Sequence, residues 1–135
     1  MGFRITVERT DDGDLLALNP GGAELRFGGA GQFSAVELLL AALGGCNLVT
    51  VDPLTAQRGH RLVRLAATIE AEKVRPNRLS TITMSYDIEL PPDDPAAATV
   101  FHTVAERVHE RHCTVSTALR ENTDVVVRLD AAGGA

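Results

Sequence analysis

Two cysteines, Cys46 and Cys113, carry the most versatile chemistry in this sequence. A thiol can act as nucleophile, metal ligand or redox centre, and each role needs a thiolate and surroundings that produce one. Cys46 closes the run Ala41-Ala42-Leu43-Gly44-Gly45-Cys46, where two consecutive glycines interrupt a helical pattern. Each glycine costs a helix about 1 kcal/mol relative to alanine, so the pair calls for a reason. Bare backbone there would let a neighbouring segment, a second subunit or a substrate approach the thiol. The plainer alternative is a small buried cysteine beside glycines that serve helix packing. Cys113 ends a second helical pattern and precedes Thr114-Val115-Ser116-Thr117-Ala118-Leu119, where a thiol can reach solvent and move. The two are far apart in sequence, so whether they meet depends on the fold. His109, His112 and Cys113 make His-x-x-His-Cys, but no fourth zinc ligand is evident and the helix is otherwise charged, which favours a solvated face.

The elements that must position these thiols follow from hydrophobic periodicity. Phe3, Ile5 and Val7 alternate with polar residues, Asp11-Asp12-Gly13-Asp14 turns into Leu15 to Leu18, and Asn19-Pro20-Gly21-Gly22 leads to a third short strand around Ala23 to Phe27. Ser34 with Glu37 three residues on forms a capping box, and Val36 to Leu43 are strong helix formers. This helix is apolar nearly all round, which predicts a central buried helix covered by a sheet on one side and by a second helix or subunit on another. Pro53 is expected to kink or restart it and Gly59 to stop it. Leu62 to Val74 and Thr81 to Leu90 alternate at period two around the turn Arg75-Pro76-Asn77-Arg78, a long hairpin with one wet face. After Pro91 to Pro95, Asp94 can cap a helix whose stripe is Val100, Phe101, Val104 and Val108. One further helical turn over Thr114 to Arg120, a last strand through Val125, Val127 and Leu129, and a frayed Ala131 to Ala135 tail complete the order. The fold class is therefore α+β, in a single domain spanning 1–135.

Composition narrows the function. With 44% hydrophobic and 23% charged residues the chain has enough apolar side chains to fold without staples or structural metals, and nothing in it implies a cofactor. A net charge of -5 and pI near 5.3, with no basic run, argue against nucleic acid and anionic membranes as partners. The opening residues alternate like a strand rather than a signal peptide, and Val36 to Val51, interrupted by Gly44, Gly45, Asn47 and Thr50, is too short an apolar stretch to span a bilayer. A soluble cytoplasmic protein is expected, in which two cysteines are transient and catalytic or redox-sensing rather than a permanent staple.

Taken together, Ser34-Ala35-Val36-Glu37-Leu38-Leu39-Leu40-Ala41-Ala42-Leu43-Gly44-Gly45-Cys46 and Cys113-Thr114-Val115-Ser116-Thr117-Ala118-Leu119 resemble the two cysteine motifs of the OsmC and organic hydroperoxide resistance (Ohr) superfamily. The resemblance covers nearly the whole chain, including the order of its elements. It implies antiparallel sheets wrapped around a central helix pair, and an intertwined homodimer with active sites at the subunit interface. It also implies a stress-response peroxidase without a cofactor: Cys46 attacks an organic or lipid hydroperoxide, Cys113 resolves the product as a disulfide, and an external dithiol, in the Ohr branch a lipoylated protein, resets the pair.

The same resemblance assigns thiolate formation to an arginine from the first strands, held by a carboxylate on the central helix. Cys46 lies about three turns from the Ser34 cap, too far for the helix dipole to help. Arg9 and Arg26 are the candidates for the cation, and Arg9, beside the first hairpin turn, is favoured. Where Ohr proteins carry the arginine-positioning glutamate, this chain has Val36, and its acid comes one residue later at Glu37. At about 100° per residue, Glu37 and Cys46 fall on opposite faces of an ideal helix. Glu37 is then a cap, or serves the other subunit's site. The departure leaves a second reading open, a non-catalytic dimer that binds a small apolar ligand or senses oxidants. A hotdog-type thioesterase is a distant third, since it has no use for the cysteine pair.

Overall fold

The computed structural model describes residues 2–121 and 123–129. Its elements run β1 (Thr6–Arg9), β2 (Leu15–Leu18), β3 (Glu24–Phe27), α1 (Ala35–Gln57), β4 (Arg64–Val74), β5 (Arg78–Glu89), α2 (Ala97–Arg107), a π-helical turn (Val108–His112) and α3 (Thr114–Arg120). The chain gathers into two compact units, Met1–Gly45 with Ala67–Tyr86, and Cys46–Ala66 with Asp87–Ala135.

In the first unit, β1, β2 and β3 form an antiparallel meander with Arg9 opposite Leu15 and Leu15 opposite Phe27. Gly13 and Gly22 take φ values of 91° and 90° in the two connecting turns, the left-handed region that side chains disfavour. Asp14 then ties sheet to loop. Its carboxylate accepts from the Thr10 hydroxyl, from Gln32 Nε2 at 3.0 Å and from Arg26 Nη1 at 3.4 Å. The Thr10 and Gln32 bonds, with Arg26 nearby, outweigh burial and hold the Asp14 carboxyl below its ordinary range. Gln32 in turn accepts from the Gly29 N–H at 2.9 Å, shaping the loop that enters α1.

The capping box closes as expected: Glu37 N–H donates to Ser34 Oγ at 3.1 Å and Ser34 N–H to Glu37 Oε1 at 2.8 Å. α1 runs through Gly44 and Gly45, as the helical pattern implies, and continues past Pro53 to Gln57 without the restart that the proline could have caused. Pro53 removes one backbone hydrogen bond, and one lost rung is not enough to divide a 23-residue helix. Gly59, at φ 83°, ends it, with its N–H on the Ala56 carbonyl and the His60 N–H on that of Thr55. Because the glycines do not break it, α1 is long and apolar enough by length and composition to cross a membrane, a test that the core helix of a soluble protein also passes. Its buried positions Leu43, Asn47, Val51 and Thr55 recur every four residues along one face. The expectation of burial nearly all round is not met within the chain, where Val36, Leu39 and Val49 are exposed.

β4 and β5 form the expected two-stranded hairpin. Ile82, Met84, Tyr86 and Ile88 are half-buried and alternate with exposed Thr83, Ser85, Asp87 and Glu89. Gly44 has its reason here: a Cβ at that position would stand 2.6 Å from Ile69 Cδ1 of β4, whereas one at Gly45 would meet nothing within 4 Å. In the second unit, Val51 packs in a core with Ala97, Phe101, Val104, Val108 and Cys113. The apolar stripe of α2 is thus its buried face.

Two expectations fail at the edges of this unit. Asp94 does not cap α2 with its side chain; its carboxylate takes His60 Nδ1 at 2.6 Å, a partner far away in sequence. Residues 125–129 form no strand, because no β-edge is paired with them in the described chain, and Val125 and Leu129 are 89% and 91% exposed. The expected tail, Ala131 to Ala135, lies outside the described residues.

Candidate active site

α1 delivers Cys46 half-buried and, one residue on, a fully buried Asn47. The opposing group comes from the end of α2. There the backbone widens into the π-helical turn, whose last bond runs from the Cys113 N–H to the Val108 carbonyl at 2.8 Å. Single π-turns often mark functional positions, since the extra residue re-aims the side chains beyond it. Arg120 of α3 braces the turn by donating from Nη2 to the carbonyls of His109 at 3.1 Å and Glu110 at 3.0 Å. Cys113 then caps α3, its sulfur accepting from the Ser116 N–H at 3.3 Å.

Around that sulfur a small polar network fills the core. Asn47 Nδ2 donates to Cys113 Sγ at 3.4 Å and to Ser116 Oγ at 3.1 Å. His109 Nδ1 lies 3.3 Å from the same Ser116 oxygen. Both cysteines are free, and the two thiols lie close enough to influence one another. Burial comes first among the influences on both thiols, and it raises each. For Cys46 the neighbouring Cys113 sulfur adds to that rise, and the thiol ends above its ordinary value. For Cys113 the bonds donated by Cys46, by Ser116 and by the Val115 N–H outweigh burial, and it ends below. All of these donors are neutral.

Of the four residues expected at the site, Cys46 and Cys113 come together within the second unit, and Arg9 and Glu37 belong to the first. Arg9 ends β1 in the first unit and is exposed. Arg26, the other candidate, is paired with Asp14. Glu37 is occupied in the capping box.

The sequence profile described as OsmC-like protein matches residues 28–128, a span that holds both cysteines. The chain belongs to the OsmC-like family. Solved structures share the fold of this OsmC-like protein. A hypothetical protein from Aquifex aeolicus VF5 superposes with a TM-score of 0.75 at 16% identity, over 92% of this chain and 91% of the other. An OsmC-like protein from Mycoplasma pneumoniae gives 0.72 at 16% identity, over 90% and 89%. The organic hydroperoxide resistance protein OhrB of Bacillus subtilis gives 0.58 at 13% identity, over 92% and 94%. No curated protein matches the sequence.

Three parts of this OsmC-like site are not evident from sequence reasoning. Asn47 shows itself only as a polar residue in phase with Leu43, Val51 and Thr55, a phase that marks it as buried and in need of partners. Ser116 sits in the second motif with no role assigned to it, yet it belongs to the network; His109 is exposed, as the charge around it implies, while its Nδ1 reaches Ser116. Nothing in the local sequence distinguishes the π-helical turn from an α-helix.

Proposed function

We propose that this protein reduces organic hydroperoxides by cycling Cys46 and Cys113 between dithiol and disulfide. The observation that carries the reading is the pair itself: two free thiols close enough to influence one another, Cys46 half-buried, Cys113 buried with its sulfur accepting from Asn47 and Ser116. The Cys46 sulfur attacks the distal peroxide oxygen, the O–O bond breaks, an alcohol leaves and a sulfenic acid remains. Cys113 attacks that sulfur, forming the disulfide and releasing water. An external dithiol, such as a dihydrolipoyl group on a protein, returns the pair to thiols. The name of the Bacillus subtilis neighbour, an organic hydroperoxide resistance protein, supports the substrate class.

The working form in this reading is a homodimer. Exposed Val36, Leu39 and Val49 on α1, and the unpaired alternation of Val125, Val127 and Leu129, are apolar surface that a second copy would cover. On the same reading α1 is the core helix of that dimer and not a membrane span. Arg9 is retained as the cation that approaches the thiols, and Glu37 as a helix cap. Treating reduced protein with cumene hydroperoxide and with hydrogen peroxide, then counting thiols and mapping disulfides, tests the activity. Rapid formation of a Cys46–Cys113 disulfide is expected, with none in Cys46→Ser; thiols that stay unchanged would sink the proposal.

Engagement of Glu37 in its cap favours a second reading, that of a ligand-binding or oxidant-sensing dimer. Native mass spectrometry separates the two. A retained small molecule together with unreactive thiols would establish the binder.

A further inference from the structure

The residue that follows Cys46 on α1 grips the other cysteine. Asn47 is fully buried, and its Nδ2 donates both to Cys113 Sγ at 3.4 Å and to Ser116 Oγ at 3.1 Å. The Ser116 N–H donates to the same sulfur at 3.3 Å, so Cys113 Sγ is held at once from α1 and from the first turn of α3. We propose that Asn47 is the positioning residue for disulfide closure: it keeps the Cys113 sulfur in place beside Cys46, so that an oxidised Cys46 is resolved before it can be oxidised again. The inference rests on the dithiol–disulfide reading of the pair, but on no particular oxidant and on neither thiol's charge.

A buried asparagine has a plainer use, which is to satisfy its own polar atoms in the core. Three features go beyond that. Asn47 is the immediate neighbour of Cys46, so whatever it grips is fixed relative to that thiol and not to a remote part of the fold. Sulfur is a weak acceptor, and one bond to it would leave the Cys113 side chain free to turn. Here the amide nitrogen makes two bonds, to side chains on one turn of α3, and a second anchor sets an orientation that a single bond does not. The Ser116 hydroxyl that takes the second bond lies 3.3 Å from His109 Nδ1, which ties the anchor to the π-helical turn that delivers Cys113. Burial of Asn47, Cys113 and Ser116 keeps out water that would compete for these bonds.

Once a hydroperoxide has turned Cys46 into a sulfenic acid, two reactions compete for it. In closure, the Cys113 sulfur attacks the Cys46 sulfur, the S–S bond forms and the S–O bond breaks. Hydroxide leaves with the Cys113 proton as water; the Cys46 sulfur is reduced and the Cys113 sulfur oxidised by one electron each. In overoxidation, a second hydroperoxide transfers its distal oxygen to the Cys46 sulfur, giving an alcohol and a sulfinic acid, which thiols do not reverse. Closure is intramolecular, so its rate follows the fraction of time the two sulfurs spend in bonding geometry, and a misplacement of about 1 Å can cost about a hundredfold. Asn47 acts on that fraction, and through it on how the sulfenic acid is partitioned.

The test mixes full-length reduced protein rapidly with cumene hydroperoxide, quenches with acid and follows Cys46 by peptide mass spectrometry, with dimedone present to trap sulfenic acid. Wild type should form the disulfide with little trapped adduct. In Asn47→Leu, which removes the donor but is near in shape, the rate of closure divided by that of first oxidation should fall about tenfold or more. The dimedone adduct should then accumulate, and excess hydroperoxide should carry Cys46 to sulfinic acid. A merely structural loss would slow both steps and leave the ratio as it was. Asn47→Gln, which keeps the amide, should recover part of the ratio, and Ser116→Ala, which removes one anchor, should lower it about fivefold. An unchanged ratio in Asn47→Leu overturns the proposal; if that variant fails to fold by circular dichroism, an unchanged ratio in Ser116→Ala does so. A second arm replaces the peroxide with cystamine, whose mixed disulfide with Cys46 is displaced by Cys113 with release of cysteamine. Asn47→Leu should accumulate that mixed disulfide. A wild type that leaves peroxide intact yet closes its disulfide from cystamine refutes the hydroperoxide reading alone.

Discussion

Placing alanine at Gly44 sets two effects of similar size against each other. Alanine favours the helix by about 1 kcal/mol over glycine. Its Cβ, however, would stand 2.6 Å from Ile69 Cδ1 and 3.4 Å from Cγ1, the first well inside contact distance and the second ordinary. Overpacking of this kind costs about 1–3 kcal/mol, toward the low end here because the clashing methyl is the far end of a side chain that can turn. Gly44→Ala should therefore destabilise the protein by about 0–2 kcal/mol. Ile69→Val removes the offending methyl at a cost of about 0.5–1.5 kcal/mol, again toward the low end because Ile69 is half-buried. In that background the clash is gone and Gly44→Ala should become stabilising by about 1 kcal/mol. The coupling between the two positions is then about 1–3 kcal/mol, large enough to resolve by urea unfolding. All four proteins must be measured at one protomer concentration, because any association would add to the apparent stability. The same effect of Gly44→Ala in both backgrounds would refute the argument that this glycine exists to admit β4 against α1.

Further expectations are simpler. Ser34→Ala should lower stability by about 1 kcal/mol, read from the urea midpoint, because it opens the capping box. Asp14 has a carboxyl pKa held below 3.8, so its contribution to stability is present above that pH and is lost as pH falls through the lower folded value; an NMR titration midpoint at or above 3.8 would contradict this. Asp94→Asn should cost no more than about 1 kcal/mol, because the pair with His60 is partly exposed; a much larger loss by thermal unfolding would make that contact a core interaction. Val127→Glu should shift sedimentation toward the monomer if the unpaired segment 125–129 meets a second copy, and an unchanged dimer would remove that segment from the interface.

Elements specified by local chemistry were legible in the sequence. Ser34 and Glu37 announced the start of α1, Gly59 its end, and the period-two alternation of Ile82 to Ile88 the half-buried strand. What was not legible depends on partners remote in sequence. Asp94 carries the residue type of a cap but finds His60 across the unit, and Asn47 reads as an interruption until Cys113 and Ser116 are set against it. Val125 to Leu129 has the pattern of a strand, yet a pattern becomes a strand only where an edge is offered. The cysteine pair could be nominated from its two motifs; that Asn47 and Ser116 hold the Cys113 sulfur depends on hydrogen bonds that no spacing reveals.

The π-helical turn between α2 and Cys113 has a geometric consequence for how such a site can change. Continued as an α-helix, residues 108–112 would advance by their usual ~100° each, and the following residue would emerge about one step, ~100°, out of phase with its present direction. Cys113 would then turn away from Asn47 even with every side chain preserved. Deleting a single residue within the turn would lose the bulge yet keep the phase, whereas adding one would disturb both. Related chains that keep two cysteines but differ by one residue here should be compared by angular phase before they are aligned by count.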